Sequence, residues 1–389
     1  MTGCFLNDVG IVCALGSGKE AVLLALLQGE APGMQSTDAY SPGRDIMVGR
    51  VDSKLPEIDG HPFRRQSRNN RLLAKALKQI RPAVEAAKAR YGAQRVGIVM
   101  ASSTSGISDV EAAWLQEPRG AFHYGQMEIG SPSEFLAAEL GLDGLAMTLS
   151  TACSSSAKAL AAGARWLEAG FCDAVVIGGV DTLCRFTIAG FSALEALSPL
   201  PCLPLSKNRQ GINIGEAAAL FLMTREPGPI ALLGAGESSD AHHFSAPDPA
   251  GTGAETAMRQ ALTMAGLEPA AIDYLNLHGT ATPQNDAMES LAVERVLGKN
   301  VPCSSTKPLS GHTLGAAGAL EAAFCWLLLS DANPQGKLAP HYYDGQYDPA
   351  LPPLRLAFEG EALGRPLRMA MSNSFGFGGS NSAIVLGRV

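Results

Sequence analysis

Short runs rich in Val, Ile and Leu alternate along the whole chain with longer, Ala-rich stretches that carry one apolar face. Residues 96–101, 146–151, 174–178, 217–223, 230–234, 274–277, 369–372 and 383–387 read as strands. Helical spacing of apolar residues covers about 70–90, 133–140, 156–169, 253–266, 286–297 and 314–330. A strand that is apolar at every position needs cover on both faces, and intervening helices supply it. The alternation therefore predicts an α/β fold with buried sheets. With 389 residues, 46% of them hydrophobic and 17% charged, the chain has enough apolar surface for a large core.

A composition break at Arg225-Glu-Pro-Gly-Pro229 suggests two halves, 1–228 and 229–389. Each half places a reactive residue after a strand, Cys153 in the first and His278 in the second. Each also has a Gly-rich segment feeding a strand, at 211–216 and 376–379, which hints at internal duplication.

A net charge of −7 gives no global attraction to nucleic acid or to an anionic membrane. The start of the chain carries no basic n-region, so a cytoplasmic location is expected. The apolar run Leu314 to Leu329 contains Glu321 and is short for a membrane span. Eight cysteines are scattered, with no Cys-x-x-Cys and no His-x-x-x-His. Neither a disulfide framework nor a metal site is expected.

Cys153 stands out against this background. It closes the segment Ala146-Met-Thr-Leu-Ser-Thr-Ala-Cys153 and precedes a helical stretch. A thiol at a strand-to-helix junction meets free N–H groups and the positive end of the helix dipole, which predicts a favoured thiolate nucleophile. His278 lies in Leu277-His-Gly-Thr280 and His312 in Lys307-Pro-Leu-Ser-Gly-His-Thr-Leu-Gly315. With the closing Asn373-Ser-Phe-Gly-Phe-Gly-Gly-Ser-Asn381, these residues suggest thioester chemistry at carbon.

Six motifs in order resemble the elongating β-ketoacyl-acyl carrier protein synthases. They are Thr151-Ala-Cys-Ser-Ser155, Phe191-Ser-Ala-Leu-Glu-Ala-Leu-Ser198, Arg209-Gln-Gly-Ile-Asn-Ile-Gly-Glu-Ala217, His278-Gly-Thr-Ala-Thr-Pro-Gln-Asn-Asp286, Ser305-Thr-Lys-Pro-Leu-Ser-Gly-His312 and Asn373–Asn381. The resemblance covers essentially the whole chain. It implies a thiolase-like fold of five layers, αβαβα, in two similar halves, usually as a homodimer or a heterodimer with a related chain. Decarboxylative condensation of malonyl-acyl carrier protein with an enzyme-bound acyl thioester is the implied reaction. The substrates would ride on the 4′-phosphopantetheine of the carrier, with no cofactor bound. Ordinary fatty acids and specialised polyketide or aryl-polyene chains are both compatible products.

By the same resemblance, Cys153 is the acyl acceptor, and His278 and His312 stabilise the enolate. Lys307 is the lysine five residues before the second histidine, and Glu289 is the carboxylate associated with it. Phe377 is the gating aromatic, its N–H joining that of Cys153 as the oxyanion hole. Thr280, Thr282 and Ser245 hold the pantetheine arm, and Phe375 lines the substrate site. Thr104 stands where a bulkier apolar residue often limits the acyl pocket. Arg65 and Arg68, in the basic run 64–71, would receive an acidic carrier protein.

The rival readings each lack a residue. A thiolase needs a second cysteine in the C-terminal glycine loop, and 373–381 has none. A priming synthase of the Cys-His-Asn kind would not carry His312. A non-catalytic partner subunit would have lost Cys153, and a serine hydrolase would need a Gly-x-Ser-x-Gly elbow.

Overall fold

The computed structural model describes residues 3–389. Ten strands build its main sheet structure. In the first half they are β1 (Phe5–Cys13), β2 (Val96–Ala101), β3 (Ala146–Leu149), β4 (Ala174–Asp181) and β5 (Ala217–Thr224). The second half contributes β6 (Ile230–Ser239), β7 (Tyr274–Asn276), β8 (Cys303–Ser304), β9 (Met369–Gly376) and β10 (Ser380–Arg388). Their spatial order is β8-β7-β9-β10-β6-β1-β5-β4-β2-β3. Numbered within its own half, each set reads 1-5-4-2-3 outward from the middle. In each half the outer three strands are mutually parallel and the inner ones antiparallel. The seam is thin, since β1 and β6 pair only at Phe5↔Ala231 and Leu6↔Ile230.

Five long helices complete the layers: α1 (Arg68–Tyr91), α2 (Ser155–Glu168), α3 (Thr252–Ala265), α4 (Pro283–Leu297) and α5 (Ala317–Leu329). Helices α2 and α5 pack on each other and touch strands of both halves, so they form the middle layer. Helix α1 covers the outer face of the first half and α3 that of the second. The strand period of two sorts side chains between these layers. Val96, Ile98 and Met100 join Leu72, Leu73 and Ile80 of α1, whereas Val99 and Ala101 join the central core with Leu160 and Phe324. Every residue of α5 is buried, which explains a helix that is apolar all round. The two central helices approach closely where Gly318 meets Ala157; a Cβ at 318 would lie 2.6 Å from the Ala157 nitrogen.

The α/β expectation holds, and the structure adds elements that the sequence pattern hid. β1 was not expected: Asn7, Asp8 and Gly10 interrupt its apolar run, yet it lies at the centre of the sheet. The supposed equivalence of Cys153 and His278 is corrected. Cys153 follows the third strand of its half, but His278 follows the second strand of the other. The segment that follows the third strand of the second half carries Lys307 and His312. Among the described residues no helix is long and apolar enough to cross a membrane.

Candidate active site

Three strained turns aim the site. Ala152 (φ 53°) immediately precedes Cys153, Ala281 (φ 62°) separates Thr280 from Thr282, and Leu314 (φ 54°) lies two residues beyond His312. Left-handed backbone at non-glycine residues is uncommon, and such strain gathers at functional sites. The turn at Ala152 sets Cys153 at the mouth of α2, whose first residue is Ser155.

Cys153, His278 and His312 converge in a cavity of about 160 Å3. The Nε2 of His312 is 3.0 Å from the Cys153 sulfur. Its other nitrogen, Nδ1, accepts the Leu314 N–H at 3.3 Å. One ring nitrogen is therefore an acceptor, and the proton sits on Nε2, directed at the sulfur. The two imidazoles meet edge to face with centroids 5.3 Å apart. Burial, reinforced by the Lys307 charge, pushes both well below the usual histidine range, and His312 adds to the effect on His278. Both rings are neutral at physiological pH, so each can donate one N–H without carrying positive charge.

The backbone N–H groups of Phe377 and of Cys153 itself face the sulfur. Burial nevertheless dominates there, and the thiol is pushed up to about 11, with Lys307 acting in the lowering direction. This corrects the expectation of a resting thiolate: desolvation outweighs the junction's N–H groups, and the thiol form prevails at neutral pH. The ligating atoms of Cys153, His278 and His312 lie within 4.8 Å of one another, close enough to hold a metal ion. The proton on His312 Nε2 suits a hydrogen-bond donor better than a ligand, because a ligating nitrogen must offer its lone pair.

Lys307 is buried, and its Nζ bonds Glu321 Oε1 at 2.5 Å. The lysine's carboxylate partner is thus Glu321 and not Glu289. Burial raises Glu321 to about 7, with Lys307 opposing the rise. Glu289 instead collects the N–H of His278 and of Gly279, each at 2.7 Å, and an amide hydrogen from Asn373. It fixes the His278 loop from behind. Glu321 had a signal in the sequence: it is the single charged residue inside an apolar helix, and a charge there must have a partner.

Thr280, Thr282, Ser245 and Phe375 all line the cavity, and the two threonine hydroxyls lie 2.9 Å apart. The Phe377 ring lies 5.5 Å from that of Phe191, an aromatic contact the sequence did not single out. Two backbone bonds, Gly378 N–H to Phe244 O and Asp240 N–H to Gly379 O, tie the glycine loop to residues 240–244.

Two expected residues point elsewhere. Thr104 is fully buried outside the cavity lining, with its hydroxyl and its N–H both bonded to Asp181. It fixes a loop, so the expectation that it sizes the pocket is corrected. Arg68 forms a bidentate pair with Glu216, a fully buried carboxylate, and also bonds Val51 O. Removing that guanidinium would strand a buried charge, so Arg68 holds the core and is not free to receive a partner. Arg65 is mostly covered and sits 3.9 Å from Glu134, whereas Arg64 is half exposed beside the same carboxylate.

The chain matches the β-ketoacyl synthase N-terminal domain family over residues 33–227 and the C-terminal domain family over 230–336. The chain belongs to the β-ketoacyl synthase family. A 3-oxoacyl-[acyl-carrier-protein] synthase 2 from Staphylococcus aureus is 31% identical over 355 residues, covering 84% of this ketosynthase and 87% of that protein. Among solved structures, a ketosynthase (ApeO) in complex with its chain length factor (ApeC), from Xenorhabdus doucetiae, is 47% identical. Its TM-score is 0.95, over 100% of this chain and 98% of that one. The ishigamide ketosynthase/chain length factor is 25% identical with a TM-score of 0.87, covering 100% and 99%. The ketosynthase is accordingly a condensing enzyme of the acyltransferase class with the thiolase-type fold.

Proposed function

We propose that Cys153 accepts an acyl group from acyl carrier protein and that His278 and His312 then promote its condensation with malonyl-acyl carrier protein. The observation that carries this reading is the Nε2 of His312 at 3.0 Å from the Cys153 sulfur, with a second imidazole, His278, edge to face beside it. In the first step the Cys153 sulfur attacks the incoming thioester carbonyl, the carbon–sulfur bond to the carrier breaks, and the thiol's proton ends on the departing carrier sulfur, which leaves as a free thiol. The tetrahedral oxyanion is met by the N–H groups of Cys153 and Phe377. In the second, the malonyl carbon–carboxylate bond breaks and CO2 leaves. The electron pair moves onto the thioester as an enolate, whose oxygen takes one N–H from each histidine. The enolate carbon attacks the acyl-cysteine carbonyl, sulfur departs, and the product is a 3-oxoacyl-acyl carrier protein. Storing the acyl chain on sulfur makes the carbon–carbon step effectively intramolecular.

Thr280, Thr282 and Ser245 serve the pantetheine arm in this reading, with Phe375 shaping its inner end and Phe377 gating the acyl side. Lys307 and Glu321 hold the electrostatics behind the histidines. We read 1–228 and 229–389 as the two halves of one duplicated unit, a division that the repeated strand order supports. The protein acts in the cytoplasm, where its eight free cysteines stay reduced.

The partner subunit is a chain-length-factor-like chain without the nucleophile. The likeness to the ApeO structure supports this, as does the edge strand β3, which pairs only with β2. Exposed Leu145, Trp114, Leu115 and Tyr124 add apolar surface, and an uncovered edge strand invites a neighbour. The intended products are specialised polyketide or aryl-polyene chains in preference to ordinary fatty acids.

Intact mass spectrometry of the ketosynthase and carrier, with acyl primers and malonyl-carrier, tests the reading with and without such a partner. Wild type gains the acyl mass, Cys153→Ala does not, and the carrier gains the elongated 3-oxo product. Acylation persisting in Cys153→Ala would end the assignment of the nucleophile. Equal elongation without the partner would end that of the subunit.

A further inference from the structure

Asp181, the last residue of β4, is fully buried and does not line the cavity. Its carboxylate nevertheless collects five donors. Oδ1 accepts from Ser102 Oγ, Ser103 N, Thr104 N and Thr104 Oγ1, all within 2.7–2.9 Å. Oδ2 accepts from Ala316 N at 3.1 Å. The first four donors follow the second strand of the first half. In the second half Glu289 plays the matching part, gathering the N–H groups of His278 and Gly279 after β7. Only Asp181 also reaches a turn of the opposite half.

That turn belongs to His312. The His312 peptide is tied on both sides, its N–H to Asn213 O and its carbonyl to the Gly215 N–H, so the backbone at 312 is fixed. The ring has a separate constraint. Its Nδ1 accepts from Leu314 N, and the chain turns immediately after that N–H through the left-handed angle of Leu314. An isolated Leu does not favour φ 54°, so something must hold the residues that follow. Ala316 N–H is shared between Thr313 O at 3.0 Å, which closes the turn, and Asp181 Oδ2 at 3.1 Å, which ties it to the other half; Gly315 passes so close that a Cβ there would lie 2.9 Å from Asp181 Oδ2 and 2.8 Å from Ser103 Oγ. Burial raises Asp181 to about 6, which leaves the carboxylate ionised at neutral pH, the form able to accept from all five donors.

We infer that Asp181 is a positioning residue for His312: its carboxylate clamps the 313–316 turn so that Leu314 N–H keeps the ring proton on Nε2, facing the sulfur and the substrate oxygen. The inference rests on the condensing role of His312. It assigns that role's tautomer to a residue in the other half, outside the cavity. Without the clamp Leu314 relaxes, Nδ1 loses its donor, and the Nδ1–H tautomer becomes available. A ring in that form turns a lone pair, and not an N–H, toward the enolate oxygen.

The test uses the full chain labelled with 15N-histidine, with His312→Gln to assign the resonance. Asp181→Asn keeps shape and volume but puts an amide donor where a carboxylate oxygen faced donors. Gly315→Ala leaves the carboxylate intact and pushes the turn off it, and it carries the test alone should Asp181→Asn fail to fold. In wild type the His312 spectrum shows Nε2–H. Both variants shift it toward Nδ1–H, and CO2 release from malonyl-carrier falls by about 10²-fold in kcat with KM little changed. His312 retaining Nε2–H in a folded variant overturns the inference, whatever the rate, and so does a shifted tautomer with wild-type turnover. Failure of the condensing role itself is distinguishable: His312→Gln would then release CO2 at the wild-type rate, while the tautomer readout would still report on the clamp.

Discussion

At Cys153 two opposing influences meet, and their balance decides how the thiol behaves between turnovers. Burial raises it to about 11, while Lys307 and two backbone N–H groups pull the other way. A thiol held there is mostly protonated at neutral pH, and its thiolate fraction grows about tenfold per pH unit until the pKa is reached. Alkylation by iodoacetamide should therefore accelerate steadily from pH 7 to 10, with the mass adduct confined to Cys153 in that range. A plateau near pH 7 would mean that the helix terminus and the N–H groups win after all. The protected thiol also suits the chemistry. Held in that form, it is less reactive between turnovers than a thiolate would be.

On the scale of elements, the central pair α2 and α5 fixes the distance between nucleophile and donor. Cys153 precedes α2 and His312 precedes α5, so the contact of Gly318 with Ala157 sets how closely the two mouths approach. Gly318→Ala should lower stability by about 1–3 kcal/mol through overpacking. It should also slow condensation, as urea titration and product mass would show; wild-type stability would mean that the helices slide freely. Docking belongs to this scale too. Arg64 and Arg71 are the accessible cations around the start of α1, whereas Arg68 is committed to Glu216. Reversing both charges should raise KM for acyl-carrier and leave a short pantetheine thioester unaffected, and added salt should imitate the change in wild type. Equal effects on carrier and mimic would assign these arginines to structure.

Much of this was legible because motif residues carry their chemistry locally. Cys153, His278, His312 and Phe377 stand in short segments whose small neighbours announce close backbone approach. What stayed hidden was pairing across distance. Nothing near Lys307 in the chain distinguishes Glu321 from Glu289 as its partner, and nothing near Thr104 indicates that Asp181 claims its hydroxyl. Strand β1 was hidden for another reason. Its polar residues lie where it has slipped register against β5, between Leu6 and Asp8, so the apolar run breaks just where the sheet tolerates it.

For the whole molecule, buried titratable groups shape stability against pH in both directions. His341 bridges Ser305 N and Pro204 O, and burial lowers it to about 4. Between about 6.5 and 4 the unfolded chain takes up a proton that the folded one refuses. This contribution is therefore complete above about 6.5 and is lost as pH falls toward 4, on the order of 3 kcal/mol. Asp181, Asp286 and Glu321, all raised by burial, act oppositely and favour the fold as pH falls. Only a difference isolates the histidine. Urea unfolding at pH 8 and pH 5 should show wild type losing more stability than His341→Gln over that interval, and parallel losses would show that this ring titrates alike in both states.

The mirrored strand order has a consequence of its own. Two five-stranded sheets reading 1-5-4-2-3 outward from a shared seam match the arrangement that two copies of one protein would make about a dyad. Such an axis would pass between the central helices, and the segments after the third strand of each copy would be mates. Those mates are the stretch ending in Cys153 and the stretch carrying Lys307 and His312. The sulfur and the imidazole that touch across 3.0 Å thus come from corresponding loops of the two halves, one supplying the nucleophile and the other the group that faces it.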